Sequence, residues 1–102
     1  MSLPFHEQAA DELAEALAFY REIDPELAED LDGAVDRRLQ VAVEIPGASR
    51  LETSTPERFG LRWYRVRRFP YSLLIGLVQG QRVVVAVAHH SRKPGYWRNR
   101  LE

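Results

Sequence analysis

The spacing of apolar residues changes once along this chain, from a helical period before the polar segment 46–60 to a strand period after it. This change constrains the fold more than any other feature of the sequence. It predicts helices at 9–23 and 25–44, separated by Asp24-Pro25, which is a good N-cap followed by a residue suited to the first helical position. Two helices joined by so short a break must lie antiparallel, as a hairpin. The residues predicted to face the core are Ala10, Leu13, Ala14, Leu17 and Tyr20 in the first helix, and Leu27, Leu31, Ala34, Val35, Leu39 and Ala42 in the second.

The second half of the chain is predicted to form strands. Segments 61–69, 71–78 and 82–88 are rich in β-branched, aromatic and apolar residues, and a short turn separates the last two. The segment 71–78 is nearly all apolar, as expected of a central strand that is buried on both faces. The segment 46–60 has no apolar period, which predicts a mobile loop.

Helices followed by strands predict the α+β class, with an N-terminal helical hairpin packed on a small antiparallel β-sheet. Two shorter elements are expected near the ends, a further strand at Phe5 and a terminal turn that begins near Pro94. The chain has 102 residues, of which 45% are hydrophobic and 28% are charged. These values predict a single globular domain that spans 1–102.

Charge is distributed very unevenly along the chain, although the net charge is only −1. Residues 1–57 carry 14 acidic and 4 basic side chains, whereas residues 58–102 carry 10 basic side chains and a single acidic one. One interpretation is that acidic helices and arginine-rich strands pair within the fold. The other is that the second half presents a basic face, suited to a phosphate backbone or an acidic partner.

Several classes of protein are not expected from this sequence. There is no cysteine, so neither a disulfide framework nor thiolate chemistry is available. His89 and His90 are adjacent on a strand and point to opposite faces, so a shared metal site is not expected, and no cofactor is expected either. The sequence has no apolar run of the ~20 residues that a membrane span needs, and its beginning lacks a signal peptide pattern. A cytoplasmic protein without membrane contact is expected.

Two motifs in the second half resemble a known family. Arg62 is followed after six residues by Phe69-Pro70-Tyr71, and the last strand runs into 86–97, AVAHHSRKPGYW, with Arg100 beyond it. Phe5-His6 and the Asp-Pro entry to the second helix fit the same pattern. Together they resemble the RelE/ParE superfamily, the toxins of type II toxin–antitoxin systems. The FPY and PGYW residues favour its ParE-like, plasmid stabilisation branch.

The resemblance implies a growth-inhibiting toxin whose partner antitoxin folds a C-terminal segment over it, in a complex that can be of higher order. RelE-like members cut mRNA in the ribosomal A site, ParE-like members poison DNA gyrase, and some relatives have no clear activity. The basic sheet face and the helical hairpin are both candidate surfaces for the antitoxin. The resemblance alone leaves open whether this chain binds its target, cuts RNA as a metal-independent endoribonuclease, or is a degenerate interaction module.

Under the nuclease hypothesis, the catalytic residues are Arg92, which stabilises charge on the phosphate, Tyr96, and His89 as an acid–base group. Arg92 and Tyr96 lie closer in sequence than their counterparts in the ribonucleases. The lysines that those enzymes carry on the sheet are also missing, since Lys93 is the only lysine in the chain. These departures argue against cleavage of the RelE type.

Under the binding hypothesis, the residues that contact a partner or target are basic or aromatic. Strand alternation over 61–69 predicts Arg65 and Arg67 on one face, with Arg62 and Arg68 on the other. Trp97 either contacts a partner or caps the core against the helices. The full set of candidate binding residues is Arg62, Arg65, Arg67, Trp97 and Arg100.

Overall fold

The computed structural model describes residues 3–102. Two helices are followed by a four-stranded antiparallel sheet with strand order β1-β2-β3-β4, which confirms the predicted α+β class. The elements are α1 (Glu7–Ile23), α2 (Pro25–Glu44), β1 (Arg50–Leu51), β2 (Arg62–Arg65), β3 (Tyr71–Val78) and β4 (Gln81–His89), with short 3₁₀ helices at Glu57–Phe59 and Arg98–Arg100. Within the described residues, no helix is both long and apolar enough to span a bilayer.

The helical hairpin turns at Asp24, as its sequence predicts. The Asp24 side chain accepts a hydrogen bond from the Glu26 backbone N–H at 3.0 Å, and Pro25 occupies the first position of α2. The Asp24 N–H also donates to the Tyr20 carbonyl, which closes the end of α1. One residue therefore ends the first helix and caps the second.

The buried face of α1 differs from the predicted stripe. Ala9 and Ala16 are buried, and Leu13, Leu17 and Tyr20 pack against the core, but the predicted Ala10 and Ala14 are exposed. Alanine fits either side of a helix, so the larger side chains decide which face turns inward. The predicted face of α2 is confirmed at five of its positions: Leu31, Ala34, Val35, Leu39 and Ala42 are buried.

Both faces of the sheet are covered, but by different parts of the chain. The helices pack on one face, where Leu73, Ile75 and Val84 lie in their core. On the other face, the first 3₁₀ helix and the C-terminal segment, residues 90–102, enclose Leu74 and Val85. The burial of β3 on both faces is as predicted. A β-bulge interrupts the pairing of β3 with β4, because Leu74 pairs with Ala86 and Ile75 with Val84, which leaves Val85 as the extra residue.

Strand β2 is shorter than the predicted strand 61–69. It ends at Arg65, and the Val66 N–H donates to the Tyr71 carbonyl to close a hairpin loop. Arg68 adopts a positive φ of 72°, and Pro70 has no N–H to continue the ladder. The expected alternation therefore ends at Arg65, and Arg67 does not share its face.

The segment 46–60, which was predicted to be a mobile loop, contains regular secondary structure. It contains β1 and the first 3₁₀ helix, whose Phe59 is buried. The chain after this helix packs closely over Gly76 of β3, where an added Cβ would lie 2.5 Å from both the Phe59 carbonyl oxygen and Leu61 Cδ2. A glycine inside a strand allows this close approach.

The outer edge of β4 is occupied rather than open. The Val84 N–H donates to the Pro4 carbonyl and the Val84 carbonyl accepts from the His6 N–H, so that Phe5 forms the expected short extra strand contact as a parallel bridge. Further along, the Val87 N–H donates to Glu12 Oε1, and the Val85 carbonyl accepts from Arg100 Nη1.

Candidate functional site

The face of the sheet opposite the helices carries a groove with a volume of about 710 Å³. The groove lies between strands β2 to β4 and the C-terminal segment, and we call it the basic groove. Among the charged residues that line it, only Glu52 is acidic. The cationic side chains in its lining are Arg38, Arg50, Arg65, Arg92, Lys93 and Arg98.

One wall of the basic groove is fixed by hydrogen bonds to Glu52. This carboxylate accepts from Trp63 Nε1 at 2.8 Å and from the backbone N–H and hydroxyl of Ser54. Ser54 in turn accepts from Arg98 at 2.9 Å. Burial alone would raise the pKa of Glu52, but these hydrogen bonds and nearby Arg50 outweigh it, so the pKa is lowered and the group stays ionised.

The other end of the basic groove is organised by Glu12 of α1, which is not among the site residues predicted from the sequence. Its carboxylate accepts both Nη groups of Arg100 at 2.9 Å, the Tyr96 hydroxyl at 2.7 Å and the Val87 N–H at 2.9 Å. Arg92 is a weaker neighbour, with Nη1 3.8 Å from Glu12 Oε2. One carboxylate thus connects α1, β4 and the C-terminal segment. We call this cluster the Glu12 network.

The Glu12 network sets the protonation states of its members. Burial acts to raise the pKa of Glu12, but the hydrogen bonds from Arg100, Tyr96 and Val87 outweigh it, so the pKa lies below its ordinary 4.5. Burial and the bond to Glu12 strongly raise the pKa of Tyr96. The Tyr96 hydroxyl is therefore a donor held on a carboxylate, and it is a poorer acid than an ordinary tyrosine.

The structure brings two of the three predicted catalytic residues into direct contact. The Arg92 guanidinium carbon lies 3.8 Å from the centre of the Tyr96 ring, and both residues line the basic groove. His89 also lines the groove, but its Nδ1 accepts from the Ser91 N–H at 3.0 Å and contacts the Ser91 hydroxyl at 2.7 Å. The neutral ring therefore carries its proton on Nε2.

The neighbouring His90 follows the last residue of β4 and lines the basic groove together with His89, so the predicted strand alternation does not extend to it. Its Nε2 is 3.0 Å from the Ser72 hydroxyl, within the basic groove. Burial and the adjacent Arg65 lower the pKa of His90, which keeps it neutral near pH 7. Within residues 3–102, no cluster of three or more potential metal-ligating side chains is found.

The predicted binding residues do not form one surface. Arg65 is exposed and lines the basic groove, whereas Arg62 lies on the helix-facing side of β2 and donates to the Ser49 carbonyl and hydroxyl at 3.4 and 3.3 Å. Trp97 is 2% exposed and Arg100 is 7% exposed. Both are interior side chains here, so neither offers a contact surface. Trp97 packs on the sheet face opposite the helices, so the prediction that it caps the core against them is wrong.

Arg67 belongs to a second cleft, of about 380 Å³, between α2 and the loop that joins β2 to β3. Four arginines line this cleft, and Asp30 is the acidic residue among its lining. Arg38 of α2 lines both clefts, so it joins them. The arginines of the second cleft are Arg37, Arg38, Arg67 and Arg68.

Comparisons with known proteins agree with this architecture. The family model described as the ParE toxin of the type II toxin–antitoxin system parDE matches residues 3–94. A solved structure, the chromosomal ParDE toxin–antitoxin system from P. aeruginosa, contains a chain with a similar fold. The TM-score is 0.68 at 18% identity, over 87% of this chain and 95% of that chain. A search of curated proteins returns no match.

Proposed function

This chain belongs to the ParE toxin family of type II toxin–antitoxin systems, and we propose that it inhibits growth by binding an essential target rather than by cutting RNA. A cognate antitoxin neutralises it, and both events take place in the cytoplasm. The family resemblance implies DNA gyrase as the target. The basic groove, with exposed Arg65 in its lining, is the surface that we assign to the target.

The single observation that carries this proposal is the engagement of Tyr96 by Glu12. A nuclease without a metal needs a proton donor that is free to reach the leaving oxygen. Here the Tyr96 hydroxyl donates to a carboxylate at 2.7 Å, and its pKa is strongly raised. Arg92 lies over the same ring with half of its side chain exposed, which suits it to binding.

A metal-independent endoribonuclease of the RelE type is the second candidate, because Arg92, Tyr96 and His89 all line one groove. The two candidates differ in what growth arrest requires. Cleavage needs the arginine charge and the tyrosine hydroxyl together, whereas binding does not require the Tyr96 hydroxyl as a proton donor. A degenerate member that causes no arrest is the third possibility.

Controlled expression in a bacterium that lacks the antitoxin separates these candidates. We expect growth arrest with an early fall in DNA synthesis by pulse labelling, and filamentous cells. An early fall in protein synthesis that disappears in an Arg92→Ala, Tyr96→Phe double variant would instead establish the nuclease. No arrest from the wild type would contradict both activities.

The antitoxin is best placed on the outer surface of α1. Phe19 and Ile23 lie one helical turn apart there, and each is 60% exposed. Large apolar side chains of this kind anchor protein–protein interfaces. The higher-order toxin–antitoxin complex implied by the resemblance remains part of this proposal. A Phe19→Ser, Ile23→Ser variant should still arrest growth but resist rescue by a co-expressed antitoxin. Full rescue of this variant would exclude α1 as the docking surface.

A further inference from the structure

We propose that a continuous band of cationic side chains binds the phosphate backbone of a nucleic acid. The band begins in the second cleft, passes Arg38 of α2 and continues along the basic groove. This inference goes beyond the proposed function, since it assigns nucleic acid phosphate to a surface that includes the basic groove. We call the surface the basic band; it consists of Arg37, Arg38, Arg50, Arg65, Arg67, Arg68, Lys93 and Arg98.

No member of the basic band forms an ion pair within the described residues, although Arg50 is near enough to Glu52 to lower the pKa of that carboxyl. In the part of the chain that the structure describes, the ion pairs are made by Arg58, Arg92 and Arg100, none of which belongs to the band. Asp30 and Glu52 are the acidic residues that line the two clefts, and Glu52 is bonded to Trp63 and Ser54. The acidic helices therefore leave this surface strongly positive, which attracts a polyanion over several ångströms.

The composition of the basic band suits phosphate in particular. Seven of its eight members are arginines, whose planar guanidinium matches two phosphate oxygens at once. Arg38 stands where the two clefts meet, and its buried Nε has no hydrogen-bond partner among the described residues. A buried donor without an acceptor is destabilising, so the fold holds this guanidinium between the two clefts at an energetic cost.

The position of the apolar surface distinguishes a nucleic acid from a protein partner. Protein interfaces have an apolar or aromatic centre with charges at the rim. The large hydrophobic side chains that this protein exposes lie outside the lining of both clefts. They are Phe19, Ile23, Val43, Ile45, Leu51 and Leu77. The aromatic residues of the lining, such as Trp63 and Tyr96, are only partly exposed. A wide surface of unpaired arginines with little exposed apolar area is the pattern expected for backbone contacts.

Fluorescence anisotropy of the purified full chain tests this inference. The probes are a labelled duplex DNA and a labelled single-stranded RNA of equal length, titrated over a series of salt concentrations. We expect the logarithm of the binding constant to fall linearly with the logarithm of the salt concentration. The slope should be about −0.9 per phosphate contact for the duplex and about −0.7 for the single strand. Tighter binding of one probe identifies which nucleic acid supplies the phosphate.

A matched pair of variants locates the binding surface. Arg67→Gln with Arg68→Gln removes two charges from the band, while Arg21→Gln with Arg58→Gln removes two exposed charges outside it. The band variant should bind about tenfold or more weakly, with a shallower salt slope, and the control variant should bind within about twofold of the wild type. Circular dichroism confirms that both variants fold.

Three results would overturn the inference. These are no binding to either probe at low salt, equal losses in the two variants, and competition by polyglutamate as strong as competition by unlabelled nucleic acid. The last result would mean that the band recognises negative charge on an acidic polypeptide rather than phosphate. Growth arrest by a wild-type protein that binds neither probe would refute the inference while the proposed function still stands.

Discussion

Replacing Glu12 with alanine is expected to destabilise this protein more than any other single loss of charge. Arg100 donates to both oxygens of Glu12, and the two side chains are only 6% and 12% exposed. Without the carboxylate, the Arg100 charge stays buried with the Val85 carbonyl as its remaining partner. Breaking a buried pair from one side costs about 3–5 kcal/mol. Because whole domains are stable by only about 5–15 kcal/mol, this is a large share of the total.

Urea unfolding at neutral pH measures the loss as a lower midpoint with an unchanged slope. Glu15→Ala is the matched control, because Glu15 is an exposed acid on the same helix and should change stability by about 0.5 kcal/mol or less. Arg92→Ala should cost about 0–1 kcal/mol, since Arg92 is half exposed and lies 3.8 Å from Glu12.

A double-mutant cycle then tests the pairing itself. If Glu12 and Arg100 act as one unit, Arg100→Ala on top of Glu12→Ala should add little, with a coupling energy of about 0.5–3 kcal/mol. Glu12→Leu with Arg100→Met should recover most of the stability by replacing the ion pair with apolar contact. If Glu12→Ala is no less stable than Glu15→Ala, or if the cycle is additive, the reasoning about this network is refuted.

Two further predictions follow from the same structure. Folding lowers the pKa of Glu12, so its contribution to stability should be complete above pH 4.5 and lost as the pH falls through the folded pKa. A Glu12→Gln variant should lack this acid dependence in urea unfolding. A pH profile of the variant that runs parallel to that of the wild type would contradict the prediction. Gly76→Ala should cost about 1–3 kcal/mol, because its Cβ would meet the Phe59 carbonyl, whereas Gly47→Ala, with no atom near its Cβ, should be nearly neutral. Equal melting temperatures for the two glycine variants would disprove the close approach at Gly76.

Local chemistry explains which parts of the fold the sequence could predict. The helical hairpin could be predicted from the period of its apolar residues and from Asp24-Pro25, because both are local signals that involve only residues close together in sequence. The end of β2 did not, because 61–69 keeps its alternation through Arg67, and only the hairpin closure at Val66 and the positive φ of Arg68 end the strand.

The candidate site was predictable only where the family motif supplied it. Arg92 and Tyr96 were named from the motif and do meet in the basic groove. Glu12 was missed because its partners Tyr96 and Arg100 lie more than eighty residues away along the chain. No local pattern distinguishes this acid from its exposed neighbours on α1. The burial of Trp97 was foreseen as an alternative, but the face it covers depends on the path of the C-terminal segment.

The occupied edge of β4 has a consequence for how this protein behaves at high concentration. Backbone groups on an open edge strand recruit strands from other molecules and seed fibrils. Here the Pro4–His6 segment and the side chains of Glu12 and Arg100 already satisfy groups along that edge. Edge-to-edge pairing between molecules is therefore favoured less at β4 than at the opposite edge of the sheet, where β1 has only two residues. The carboxylate that holds the C-terminal segment in place thus also occupies a backbone donor that an open edge would offer to a strand of another molecule.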